Sequence, residues 1–82
     1  MSDTRSRLLA CFRLVFLDAS DSELLVATPS SYDAWDSIAA ITLVNVIEDE
    51  FQVQVDFDRV GDLDSFEKVL EYVRELLAAN AE

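Results

Sequence analysis

Histidine is absent from this sequence, and cysteine, glycine, proline, methionine and tryptophan occur once each. Without histidine the side chain best suited to proton transfer near neutral pH is missing. The lone cysteine, Cys11, excludes an internal disulfide and any cysteine-based zinc site. Nothing basic is grouped with it, so it has no setting for a reactive thiolate either. A non-enzyme is expected. Positive charge is also scarce, with six Lys and Arg against seventeen Asp and Glu, a formal net charge of −11. That balance disfavours nucleic acid and anionic membrane surfaces and favours partners with basic docking patches. No window approaches the roughly 20 apolar residues of a membrane span, so no membrane insertion is expected. The opening residues Met1-Ser2-Asp3-Thr4-Arg5 lead into an amphipathic segment without a small-residue cleavage pattern. A cytoplasmic location follows by default, and a monomer is expected. Repeats, low-complexity tracts and linkers are absent as well.

What is present is a chain of 82 residues, 51% of them hydrophobic. That is one domain, residues 1–82, near the lower size limit for an unaided core. The apolar spacing predicts an all-α fold, a small three-to-four-helix bundle with a long first loop. Ser2 or Asp3 caps a first helix over about 4–17, with Leu8, Leu9, Phe12, Val15 and Phe16 on its buried face and Cys11 beside it. Residues 18–35 read as loop, punctuated at Asp18 to Ser22 and at Thr28-Pro29-Ser30-Ser31, with Leu24, Leu25, Val26 and Trp35 as its anchors.

A second helix over about 37–51 follows Asp36-Ser37, an ordinary N-cap signal. A helical wheel assigns Ala40, Ile41, Leu43, Val44, Ile47 and Phe51 to the core. Ile38, Thr42, Asn45, Val46 and Asp49 fall on the other side, where Ile38 and Val46 are apolar residues facing water. Val53 and Val55 are expected to plug core gaps in extended chain. Asp56 caps a short turn over 57–60, ended by Gly61. A capping box of Asp64 and Glu67 then opens a last helix over 65–79 with Phe66, Val69, Leu70, Val73, Leu76 and Leu77 inward. The tail from Ala78 to Glu82 is expected to fray.

Asp36-Ser37-Ile38 at a helix start, Glu48-Asp49-Glu50-Phe51 at its end, Val53-Gln54-Val55-Asp56 and the amphipathic last helix together resemble the acyl carrier protein family. The resemblance spans most of the chain and is weakest before about Leu24. It implies that Ser37 bears a covalent 4′-phosphopantetheine, with Asp36 helping to present it to a phosphopantetheinyl transferase. It further implies an acyl or aminoacyl group held as a thioester on the prosthetic thiol. A loading ligase and downstream acyl-transferring enzymes would then dock on Ile38, Thr42, Asn45, Val46 and Asp49. Ala34 and Trp35 stand where the family often has glycine, and Ala39 and Thr42 where it is often acidic. A stand-alone carrier of a specialised pathway fits those departures.

Two other classes compete. Asp56 to Glu67 resembles a twelve-residue EF-hand calcium loop, with Gly61 at the turn and Glu67 as bidentate ligand, although Val60 removes one ligand. An unmodified interaction domain would need only the sticky face at Ile38 and Val46.

Overall fold

A computed structural model describes residues 3–80 as an all-α bundle, with no β-strand among the described residues. Helix α1 spans Thr4–Val15, α2 Asp21–Val26, α3 Ser37–Phe51 and α4 Phe66–Asn80, with a 3-10 helix at Phe57–Asp62 between the last two. Ser2, one of the two expected caps of α1, lies outside the described residues, as does the end of the expected tail. Asp3 does the capping, its carboxylate accepting the Ser6 N–H at 2.7 Å.

Helix α1 stops two residues short of the expected 17. Phe16 leaves the helical backbone, its N–H still donating to the Phe12 carbonyl, and its ring turns into the core. There it meets Phe12, Tyr32 and Trp35 at centroid distances of 6.0, 5.5 and 5.6 Å. Phe12 also meets Phe66 edge-on at 5.2 Å, so one aromatic cluster joins α1, the loop before α3 and α4. Cys11 lies within the core rather than beside it, and burial pushes its thiol up to about 11.

The expected long loop is broken by α2, which the sequence reading missed. A capping box nucleates this helix: Ser20 Oγ accepts the Glu23 N–H at 3.3 Å, and Glu23 Oε1 accepts the Ser20 N–H at 2.9 Å. Leu24 is fully buried and anchors the segment. Val26, read as a second anchor, is 77% exposed, because it lies on the opposite side of this short helix.

Two further corrections concern capping. The box expected at Asp64 and Glu67 does not form. Ser65 Oγ accepts the Lys68 N–H, while Asp64 pairs with Lys68 Nζ at 3.0 Å and Glu67 reaches Arg5 at 3.1 Å. The 3-10 helix continues through Gly61 to Asp62 instead of ending there.

Between α3 and the 3-10 helix, Gln52 takes a left-handed conformation (φ 55°) and turns the chain. Val53 and Val55 are buried in extended chain, as expected from their alternation. The backbone there is satisfied by side chains: the Val55 N–H donates to Glu48 Oε2 at 2.8 Å and the Asp56 N–H to the Tyr72 hydroxyl at 2.9 Å. Tyr72, which the apolar spacing of α4 did not single out, is thereby both core residue and polar clasp.

Helix α1 packs against α2, α3 and α4. Three of its arginines each reach a different one of them: Arg5 to Glu67 of α4, Arg7 to Glu50 of α3 and Arg13 to Asp21 of α2. Such exposed pairs contribute only about 0.2–1 kcal/mol each. In so acidic a chain they also set scarce positive charge where carboxylates would otherwise crowd. Among the described residues no helix is long and apolar enough to cross a membrane.

Candidate functional site around Ser37

Helix α3 begins at Ser37 because Asp36 caps it. The Asp36 backbone is extended, and its carboxylate accepts the Ala39 N–H at 2.8 Å. The Asp36 carbonyl accepts the first intrahelical bond, from Ala40, at 2.9 Å. Ser37 is therefore the first helical residue, not the cap. Its side chain is exposed, and among the described residues its hydroxyl has no hydrogen-bond partner. A negative group attached there would meet the unpaired amides and positive dipole end of α3.

Ser37 lines the rim of a groove of about 560 Å³. Helix α3 contributes Asp36, Ser37, Ala40 and Ile41 to it, and the 3-10 helix contributes Phe57, Val60 and Gly61. Leu63, Asp64 and Pro29 complete the walls, and Trp35 is the most buried of the lining residues. Gly61 is exposed with open space where a side chain would be, so this wall is low. The groove is of the size that small-molecule sites commonly have, mostly apolar with a few polar groups at the edge. Its two charged residues are carboxylates, and Asp64 is paired with Lys68.

The outer face of α3 corresponds to the sequence reading with two corrections. Ile38 is 76% exposed, and Thr42, Asn45 and Asp49 are exposed with it. The Thr42 hydroxyl donates back to the Ile38 carbonyl at 3.0 Å. Val46, assigned to that face, is half-buried and packs against the core, whereas Ile41, assigned to the core, is 48% exposed and lines the groove. The buried residues Leu43, Val44, Ile47 and Phe51 define a core centre. At about 100° per residue, Ile41 and Val46 each sit roughly 110° from it on opposite flanks. A wheel gives the flanks but not which neighbour covers them.

The groove itself was not read from the sequence. Trp35 stood there only as a loop anchor, and Phe57 only as part of a short turn. The available signal was Phe57 directly after the cap residue Asp56, on a helix too short to bury it; it is 65% exposed.

The stretch from Asp56 to Glu67 does not fold as a calcium loop. Asp56 accepts the Asp58 N–H at 3.0 Å to open the 3-10 helix, and Glu67 is turned to Arg5. Among the described residues no three acidic, histidine or cysteine side chains converge as a metal site.

Compared with known proteins, the chain matches no family model, no curated protein and no solved structure.

Proposed function

We propose that this chain is an acyl carrier, with Ser37 esterified by 4′-phosphopantetheine and the arm's thiol holding an acyl or aminoacyl group as a thioester. The serine oxygen attacks the β-phosphorus of coenzyme A on a phosphopantetheinyl transferase. A phosphodiester forms, the pyrophosphate bond breaks, and adenosine 3′,5′-bisphosphate leaves. The hard chemistry then belongs to the arm and to the enzymes that visit it, while the protein supplies position and recognition. Those enzymes are a loading ligase and acyl-transferring enzymes of a specialised biosynthetic pathway.

The observation that carries this reading is the free hydroxyl of Ser37 at the first residue of α3, on the rim of an apolar groove. The resemblance around Asp36-Ser37-Ile38 names the group, and the helix end favours its phosphate. Asp36 acts by fixing the backbone at Ser37, since its carboxylate is engaged with Ala39. Ile38, Thr42, Asn45 and Asp49 are the docking face beside the arm, with Val46 at its edge.

Incubation with coenzyme A and a broad-specificity phosphopantetheinyl transferase should add the mass of one arm, and Ser37→Ala should abolish the gain. Because Ser37 is not the cap, that variant should melt close to the parent. Asp36→Ala, which removes the cap, should cost about 0.5–2 kcal/mol. No mass gain with several transferases would refute the carrier reading.

A further inference from the structure

Behind the groove lies a second, inner gap, lined by Trp35, Ala40, Val60 and Leu63 on the side facing the groove and by Leu43, Val44, Ile47 and Val69 within the core. The two spaces share those first four residues, so these side chains stand between the groove at Ser37 and the bundle interior. They differ greatly in size. The outer groove is about 560 Å³ and the inner gap about 10 Å³. The latter is about one water-sized sphere, and no acyl tail enters it without displacing a wall.

The most buried part of that boundary is Trp35. Its ring is held edge-on against Phe12 at 5.6 Å and lies 5.6 Å from Phe16. Its backbone N–H donates to the Tyr32 carbonyl at 3.0 Å. It is 3% exposed, so its position is fixed by core packing rather than by the groove. Ala40, Val60 and Leu63, which complete the boundary, are only partly buried.

We propose, resting on the carrier reading, that Trp35 is the residue that sets cargo size, confining the chain to short, uncharged acyl groups that lie in the outer groove. Part of that groove is taken by the end of the arm, which leaves room for a short tail against Ile41, Phe57 and Val60. A longer tail meets the Trp35 ring and stays in water. A cargo ending in a carboxylate meets a groove whose charged residues, Asp36 and Asp64, are themselves carboxylates, in a chain of net charge −11.

The test loads the full chain with acetyl, butanoyl, succinyl, hexanoyl, octanoyl and dodecanoyl arms, using the matching coenzyme A thioesters and a transferase, with loading checked by mass. Melting temperature and the fluorescence of Trp35, the one tryptophan, are then read for each. The melting temperature should rise by a few degrees from acetyl through hexanoyl and level by octanoyl. Trp35 emission should change over the same range, and the succinyl form should show no rise while its equal-length butanoyl partner does. Trp35→Leu should move the plateau to longer chains. Leu63→Ala, which opens the same boundary from a partly buried position, should do the same and serves where Trp35→Leu fails to fold. A rise continuing through dodecanoyl in the parent would overturn the proposal, as would a plateau unmoved in the folded variant. A succinyl rise equal to the butanoyl one would overturn the restriction to uncharged cargo. Absence of any mass gain is a different failure: it removes the carrier reading itself, and the proposal with it.

Discussion

Arg7 holds the C-terminal end of α3 by two bonds to one residue. Its Nε donates to Glu50 Oε2 at 2.8 Å, and its Nη2 donates to the Glu50 carbonyl at 2.9 Å. The guanidinium also lies 4.5 Å from the ring centroid of Phe51. One side chain thus satisfies a carbonyl at the helix end, neutralises a carboxylate and covers an aromatic ring.

Arg7→Ala should therefore cost about 1–2 kcal/mol, more than an isolated surface pair contributes. Arg5→Ala removes one exposed bond to Glu67 and a longer stack over the Phe66 ring, 5.4 Å to its centroid, but no bond to a helix-end carbonyl; it should cost less, about 1 kcal/mol or below. Arg7→Lys should recover less than half of the loss, since an ammonium cannot reproduce the planar fork. Urea denaturation of the three variants measures the order.

Tyr72 ties the chain between α3 and the 3-10 helix to α4 through the Asp56 N–H, and Arg59 stacks 4.7 Å above its ring. Tyr72→Phe keeps the packing and removes the acceptor. It should cost about 0.5–1.5 kcal/mol, and amide exchange should speed up at Asp56 and through Phe57–Asp62, which forms one wall of the groove. Unchanged exchange there would show that the clasp does not hold that wall.

The faces of α3 predict a graded series of alanine variants. Ile47→Ala should cost about 2–5 kcal/mol through the cavity it leaves, and Val44→Ala about 1–3 kcal/mol. Val46→Ala, from a half-buried flank, should cost about 1 kcal/mol. Ile38→Ala and Ile41→Ala should change stability by less than about 0.5–1 kcal/mol. Of these two, Ile38→Ala should slow transfer to and from cognate enzymes. Melting temperatures and transfer rates on the five variants separate core, flank and docking face. An Ile41→Ala variant that melts as early as Ile47→Ala would overturn the observed rotation of this helix.

Acid titration should report on the start of α2. Arg13 donates to both carboxylate oxygens of Asp21 and holds its carboxyl below the usual range. The Ser20 N–H does the same for Glu23. A depressed folded-state pKa means stability that is present above the unfolded value of about 4 and lost as pH falls through the lower folded value. Between about pH 5 and about pH 2 the melting temperature should therefore fall more steeply in the parent than in Asp21→Asn or Glu23→Gln. Equal slopes would show that these contacts do not persist in solution.

Some of this molecule is written in local sequence. The helical character of α1, α3 and α4, the extended buried valines and the capped start at Asp36-Ser37 follow from apolar period and cap chemistry. Those depend on residues within one turn of each other. Helix α2 carried the same kind of signal, Ser20 followed by Glu23, and was missed because six residues are too few for an apolar period to appear. What only tertiary structure decided is which flank of a helix finds a neighbour. Val46 is half-covered because it packs against the core cluster, and Ile41 is open because it lines the groove that the short 3-10 helix borders. Trp35 bounds that groove because Phe12 and Phe16, some twenty residues earlier in the chain, hold its ring in place. Packing between segments distant in sequence has no local signature, so the cap at Ser37 was legible from the residues and the groove beside it was not.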